Sequence, residues 1–468
     1  MVGSFSGQNR AVYSIFKPPA DAPPIGGDRE EIRSVYSRWR MRQLFLTFWG
    51  YAIFYFVRKN FSVAMPLLET ELKITKTDLG KFLTAHSILY GVSKFVNGYV
   101  ADRSNARTFM AFGLMASALL NFGFGFVNTV TLMGILWCLN GWFQGMGFPP
   151  CARVLSHWFA PSERGTMWGI WNASHMVGAA VILVWAGYLG KTYGYKAIFF
   201  APGAVAVIMA IAILAFMRDT PGSVGLPDVE KHFGSKAGVD THLHSTPDDD
   251  DEVSPEELQS EDEDAEFKAF VRKRVFGNPY VWLICMANFC VYVVRYGFLD
   301  WAPTFLSQVK GYELDHAGWM TAGFEIAGLV GSLIAGIITD KFFRSKRAPV
   351  CVAYMLGTAI SIVILWKMPA GNFIHDAAVL LAVGFMVYGP QFLVGVMTAD
   401  IVTKRAAATA IGLTGLFGYG SSVLYGYGLG KIVDSYGWDA GFMMLAAIAL
   451  LGAGFFALCW NAGAHEEA

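Results

Sequence analysis

The chain has 468 residues, of which 54% are hydrophobic and 15% charged, and its formal net charge is +0. A charged share well below the roughly 25% of soluble domains points to a membrane protein, and neutrality offers nucleic acid no bulk attraction, so no such partner is expected. The cysteines, Cys138, Cys151, Cys285, Cys290, Cys351 and Cys459, show no C-x-x-C spacing and lie mostly in apolar stretches. They read as small buried residues rather than disulfides or metal ligands, and no cofactor is expected.

In chain order, residues 1–42 are polar, proline-bearing and basic through Arg29, Arg33, Arg38, Arg40 and Arg42. They lack the apolar core and cleavage site of a removable signal, and positive charge ahead of a first span argues for a cytoplasmic N-terminus. Twelve apolar segments follow, each near the roughly 20 residues that cross a bilayer. Six fall within 43–216, at about 43–68, 79–101, 107–127, 131–155, 164–188 and 195–216. Six fall within 279–460, at about 279–306, 315–339, 349–367, 374–397, 406–430 and 438–460. The expected fold is an all-α membrane protein with twelve transmembrane helices in two six-helix halves. Residues 217–278 form a polar linker with an acidic run from Asp248 to Asp264, expected to be a disordered cytoplasmic tether. His242 and His244 in it are weak metal candidates, and the expectation there is a solvated loop. Basic loops carrying Arg103/Arg107, Arg153/Arg164, Lys341/Arg344/Lys346/Arg347 and Lys404/Arg405 alternate with poorer ones. This pattern puts both termini, including the tail 461–468, in the cytoplasm.

Arg58 falls inside the first span, where insertion costs roughly 2.5–3.5 kcal/mol. Tyr51, Tyr55 and Arg58 share one helical face at i, i+4 and i+7, so a fixed cation stands beside phenol donors, a surface suited to an anion in an aqueous cavity. An arginine snorkelling to the membrane surface would explain Arg58 alone. It does not explain a second copy, Tyr292-Val-Val-Arg295-Tyr296. A second motif also repeats: Gly98-x-x-x-Asp102-Arg103 with Arg107, then Gly336-x-x-x-Asp340-Lys341 with Arg344, Lys346 and Arg347. The offsets are about 237 and about 238 residues, so the chain is two similar halves in the same order.

Further intramembrane polar groups are Tyr90, Lys94 and Asn97 in span two, Asn172 and His175 in span five, Asp300 in span seven and Glu325 in span eight. Asp300 and Glu325 are too few for a carboxylate metal site and are expected to pair with cations such as Lys59. Tyr388 and Tyr419 alone would pass as packing aromatics. Gly187-Tyr-Leu-Gly190-Lys191-Thr192 ends like a phosphate-binding loop, but Trp185 stands where the first glycine is needed. With no such loop, the driving force is expected to be a solute gradient rather than ATP. No Ser-His-Asp, Cys-His or H-E-x-x-H set falls in a plausible pocket, so an enzyme is not expected. Two arginines, a lysine and a histidine from different helices suit a doubly charged oxyanion, because the guanidinium fork matches phosphate oxygens two at a time.

Several strings identify a resemblance: Ser14-Ile-Phe-Lys-Pro18, Tyr55-Phe-Val-Arg58-Lys59-Asn60, Tyr90-Gly-Val-Ser-Lys94-Phe, Asp102-Arg-Ser-Asn105, Gly141-Trp-Phe-Gln-Gly145, Pro149-Pro-Cys-Ala-Arg153, Trp171-Asn172-x-x-His175, Arg218-Asp-Thr-Pro221 and Gly225-Leu-Pro227. Nearly end to end, the chain resembles the organophosphate:phosphate antiporters of the major facilitator superfamily, the branch with the glycerol-3-phosphate and hexose-6-phosphate transporters. The resemblance implies the major facilitator fold. It implies that Arg58 and Arg295 grip a phosphate from opposite halves, joined by His175, in a cavity lined by Lys94, Tyr51, Tyr55, Tyr90, Asn172, Tyr292, Tyr388 and Tyr419. It further implies that Asp300 and Glu325 exchange partners with Lys59 as the halves rock. Arg295-Tyr-Gly-Phe-Leu-Asp300-Trp301 and Thr414-Gly-Leu-Phe-Gly-Tyr419 look like the glycerol-3-phosphate members, whereas Lys17-Pro-Pro-Ala-Asp-Ala-Pro23 and Lys404 read closer to the hexose phosphate group.

The expected activity is import of glycerol 3-phosphate in exchange for inorganic phosphate. The alternative is a hexose-6-phosphate transporter, or a membrane sensor of hexose phosphate. Asp102-Arg103 and Asp340-Lys341 are expected to act as charge-paired latches of the outward-facing state, although topology signalling alone would explain the basic residues. A functional monomer in the lipid bilayer, in a bacterial inner membrane, completes the expectation.

Overall fold

The computed structural model describes residues 16–17, 20–26, 28–229, 269–343, 346–402 and 407–460. The acidic run, His242, His244, Arg344, Lys404 and Arg405 lie outside the described residues, as does the side chain of Asp102. Every long element described is helical. The first half holds α1 (Arg29–Leu72), α2 (Lys76–Asp102), α3 (Ala106–Phe126), α4 (Val130–Gln144), α5 (Phe148–Trp158), α6 (Pro161–Asn172), α7 (Ser174–Tyr193) and α8 (Tyr195–Phe216). The second holds α9 (Pro279–Gln308), α10 (Leu314–Phe342), α11 (Arg347–Lys367), α12 (Phe373–Val402), α13 (Ala407–Gly420) and α14 (Leu429–Leu458). Two pairs in the first half, α4/α5 and α6/α7, are each one membrane pass. In the second, α13 runs through a π-wound stretch, Val423–Gly428, into α14, which breaks at Gly437 (φ 79°) to give the last two passes.

Among the described residues, eight helices are long and apolar enough to cross a membrane by composition, the last of them spanning Thr409–Leu458. Three passes fall short for visible reasons. α1 and α2 carry Arg58, Lys59, His86 and Lys94 in their interiors, and the fourth pass is split at Gly145–Gly147, just before Pro149 and Pro150. The polar residues that make the interior unusual are the ones that lower the apolar signal.

α1 begins well before the expected first span, at Arg29. The Asp28 side chain accepts from the Glu31 amide at 2.8 Å, and Glu30 and Glu31 sit in the first turn, where the helix dipole favours anions. This extension is not solvated along its whole length. Tyr36 packs edge-on against Trp158, and Arg40 pairs with Glu163.

The repeat is visible in three dimensions. Tyr193-Gly194-Tyr195 joins passes five and six, and Tyr436-Gly437-Trp438 joins passes eleven and twelve, with φ/ψ of 78°/178° and 79°/175°. The Gly190-Lys191-Thr192 string is helical, at the end of α7.

The halves meet most closely at the end of the bundle away from the termini. There α7 lies along α10 so tightly that a Cβ at Gly318 would run into the Leu183 carbonyl oxygen, and one at Gly80 into that of Gly426. Polar contacts reinforce this seal. Thr77 N donates to Asp434 at 2.6 Å, Gln308 to Glu69 at 2.7 Å, Tyr425 Oη to Ser87 at 2.8 Å, and Lys191 pairs with Asp315 at 2.9 Å. Toward the terminal end the interface opens: Asn172, on the same face of its pass as His175, is exposed.

Candidate functional site

The centre of the site is a break in α1. Val57 leaves helical geometry (φ −96°, ψ 17°) one residue before Arg58. Its carbonyl accepts from two side-chain amides, Asn121 of α3 at 3.0 Å and Asn140 of α4 at 2.9 Å. Asn60 in turn donates to Asn121 at 2.9 Å and to the Ile198 carbonyl at 3.0 Å. In a bilayer every carbonyl needs a partner, and these amides supply one where the helix ladder fails. Arg58, 8% exposed, then lies over the rings of Tyr90 (4.3 Å) and Tyr55 (5.4 Å). Tyr51 and Arg58 both stand beside the Tyr90 hydroxyl.

Arg295 of α9 occupies the corresponding place in the second half and is 4% exposed. It donates to Tyr388 Oη at 2.8 Å and to Tyr296 Oη at 3.3 Å, and its guanidinium lies over the same two rings at 4.3 and 4.8 Å. Glu325 of α10 lies 3.9 Å away, an ion-pair distance without a hydrogen bond to the guanidinium, and its carboxylate stands beside the Tyr388 hydroxyl. Arg295 Nε is unpartnered.

Other groups bring the halves into one cavity. Tyr55 and Tyr292 each face both guanidiniums, and His175 faces Arg295, Arg58 and Lys94. The His175 ring lies 5.8 Å from that of Tyr55 and meets the Asn172 main chain. Lys94 stands over Phe148 at 4.5 Å and Tyr419 at 5.9 Å. Tyr419 reaches across the interface to Tyr90 at 5.3 Å and also touches Tyr292 at 6.1 Å. The structure therefore brings Tyr51, Tyr55, Arg58, Tyr90, Lys94, Asn172, His175, Tyr292, Arg295, Tyr388 and Tyr419 around one space. Arginine, lysine and phenol donors dominate it, and cation–π contacts hold the cations without neutralising them.

On the sealed side of this space Lys59 pairs with Asp300 across the halves at 2.5 Å, and Ser62 donates to the same carboxylate at 3.0 Å. Both partners are about one-twentieth exposed. The loop motifs behave differently. Arg103 is exposed and stacks on Tyr99 at 3.8 Å. Asp340 accepts from Arg347 at 2.5 Å within its own half, and Lys341 is exposed. The contacts described for Arg103 and Arg347 stay within their own halves.

Several participants were missed in the sequence. Tyr296 and Tyr425 stack at 5.2 Å beside the Lys59–Asp300 pair. His86 lies against Trp137. Asn121 and Asn140 hold the α1 break. Their only signal was polarity inside apolar spans, which also describes ordinary helix–helix contacts.

The Major Facilitator Superfamily model matches residues 47–426, and matches again over 314–466. The chain belongs to the major facilitator superfamily. It is therefore an integral, multi-pass membrane transporter rather than an enzyme. Among relatives of this facilitator, the glycerol-3-phosphate transporter of Bacillus subtilis (strain 168) is 40% identical, covering 97% of this chain and 100% of its own. A probable hexose phosphate transport protein of Chlamydia muridarum is also 40% identical, with 96% of each chain covered. The membrane sensor protein UhpC of Escherichia coli (strain K12) is 37% identical, over 97% of this chain and 99% of its own. A solved bacterial homologue of the human lysosomal transporter Spinster, described as inward-facing and unoccupied, shares the fold with a TM-score of 0.71. It is 16% identical, covering 91% of this facilitator and 98% of that chain.

Proposed function

We propose that this facilitator imports an organic phosphate, glycerol 3-phosphate, in exchange for inorganic phosphate. The observation that carries the reading is a buried guanidinium from each half, Arg58 and Arg295, facing one tyrosine-lined space. A phosphoryl dianion can take the forks of both at once. His175 and Lys94 add donors from the first half. Tyr51, Tyr55, Tyr90, Asn172, Tyr292, Tyr388 and Tyr419 shape the rest of the pocket around the organic moiety. With no anion, the two cations repel and oppose closure of the halves over an empty site. With one bound, the charge is balanced and the halves can rock, which favours exchange over leak.

In this reading 43–216 and 279–460 are the moving halves, joined by the cytoplasmic linker 217–278. Both termini, 1–42 and 461–468, are cytoplasmic, which accords with the basic loops at the open end. The structure is then inward-open, sealed outside by the Lys59–Asp300 pair and the α7–α10 seam. Glu325 is the carboxylate poised to change partners, while Asp102-Arg103 and Asp340-Lys341 act as latches in the opposite state. The membrane is a bacterial inner membrane and the working unit a monomer.

The relatives named for hexose phosphate transport and for sensing support a second reading, in which hexose 6-phosphate is carried or sensed. One experiment separates these. Purified protein in liposomes loaded with labelled phosphate is challenged with outside glycerol 3-phosphate, glucose 6-phosphate or phosphoglycerate. Efflux driven best by glycerol 3-phosphate is the expected result. Efflux driven best by glucose 6-phosphate would replace the substrate assignment, and tight binding without efflux would replace transport by sensing.

A further inference from the structure

His86 has no part in the exchange described above, yet it lies beside the pair that must open for exchange to occur. It is on α2, in the first half, and is 4% exposed. Its Nδ1 meets the Trp137 carbonyl at 3.1 Å, and its ring stacks on the Trp137 indole, with centroids 5.2 Å apart at 24°. A carbonyl only accepts, so Nδ1 carries the hydrogen. Arg58 and Lys59 both face the ring. In the tautomer with its hydrogen on Nδ1, Nε2 presents a bare lone pair. That nitrogen is buried without a hydrogen-bond partner. The ring borders a small cavity whose other walls include Arg58, Lys59, Ser87, Tyr296 and Asp300. A buried acceptor left empty beside two donors calls for a reason.

Lys59 supplies one. Its Nζ is held by Asp300, which belongs to the other half. When the halves part at this end, Asp300 withdraws with α9, and a buried ammonium without an acceptor is strongly disfavoured. Tyr425 leaves Ser87 in the same movement. We propose that His86 Nε2 is the acceptor, fixed in the first half, that receives Lys59 when Asp300 departs. The lysine then always has a partner: a carboxylate across the interface when this end is sealed, an imidazole lone pair when it is open. No proton changes hands, because Lys59 donates an N–H in both states.

The proposal rests on the reading that the Lys59–Asp300 pair opens during transport. The test uses the full chain in lipid bilayers, with spin labels at Tyr193 and Tyr436, exposed positions at the sealed end of the two halves. His86→Phe keeps an aromatic ring against Trp137 and removes the acceptor. His86→Asn keeps an amide near Nδ1 but does not reach the Nε2 position, and His86→Gln does reach it. In both His86→Phe and His86→Asn, the label distances should shift toward the short, sealed population. Phosphate exchange at saturating substrate should slow about tenfold, the order expected for one lost hydrogen bond to a charged group, with KM little changed. His86→Gln should restore both readouts. In a Lys59→Met background, His86→Phe should no longer move the distances.

The proposal is overturned if His86→Phe and His86→Asn match the parent, if His86→Gln fails to rescue, or if the distance shift persists without Lys59. Asp300→Asn is the separate control. If it leaves distances and exchange unchanged, the pair does not gate, and that reading fails whatever His86 does.

Discussion

Replacing Arg58 by lysine keeps a positive charge in α1 and removes the planar fork. The guanidinium is 8% exposed and sits 4.3 Å from the Tyr90 ring and 5.4 Å from that of Tyr55. A lysine there presents a point charge that cannot hold two oxygens of one phosphoryl group in parallel. One charge-assisted hydrogen bond is therefore lost, about 1.5–3 kcal/mol. The corresponding weakening of phosphate binding is about 10- to 150-fold. Because the halves each contribute one fork, Arg295→Lys should cost a similar factor, and it also disturbs the hydrogen bond to Tyr388. The assay is labelled phosphate exchange in reconstituted vesicles, read as a concentration series, with binding to the solubilised protein measured in parallel. Exchange and binding in Arg58→Lys within about twofold of the parent, well inside the loss expected for the fork, would refute the reasoning.

Other consequences follow from single contacts. Substituting Asn121 and Asn140 together by leucine strands the Val57 carbonyl, at a cost of about 1–3 kcal/mol, and lets the α1 break relax. Phosphate KM should rise even where the variant folds, and a folded double variant with parental KM would dissociate the break from Arg58. Gly318→Val places a side chain against the Leu183 carbonyl, overpacking the α7–α10 seam by about 1–3 kcal/mol. The sealed end should become accessible to water-soluble thiol reagents at an introduced cysteine, and an unchanged labelling rate would count against the seam. Lys310 pairs with Asp376 at 2.8 Å where both side chains are 2% exposed or less. Lys310→Met should destabilise the second half by about 3–5 kcal/mol by stranding a buried carboxylate. Adding Asp376→Asn should recover most of the lost melting temperature, and no recovery would mean that the pair is not what stabilises that end.

The reach of the sequence differs between fold and site. Twelve passes could be counted because a bilayer demands apolar stretches of a set length. The apolar signal is weakest in α1 and α2, where interior polar residues dilute it, and in the fourth pass, which is split at Gly145–Gly147. Helix α1 runs back from the expected first span to Arg29, where Tyr36 packs on Trp158 and Arg40 pairs with Glu163 rather than facing lipid. Cations were easy to single out, since an arginine or lysine within a span is costly and needs a reason. Their partners were harder to assign. Glu325 and Asp300 were both candidates for Lys59. The structure gives Asp300 to Lys59 and leaves Glu325 at the edge of Arg295. Asn121, Asn140 and His86 carried no distinguishing mark, because an amide or imidazole in a span most often serves ordinary packing.

What the linear chain settles by itself is the number of passes, the doubling of the halves and the presence of two matched arginines. These depend on local composition and on order along the chain. What only the folded molecule decides is pairing and state. Lys59 meets Asp300 over a separation of 241 residues, Asn121 and Asn140 bend α1 at Val57, and the seam at Gly318 closes one end while the other stays open. Such outcomes depend on which helix faces come within hydrogen-bonding distance, and that is set by packing two halves against each other, not by either half's sequence read alone.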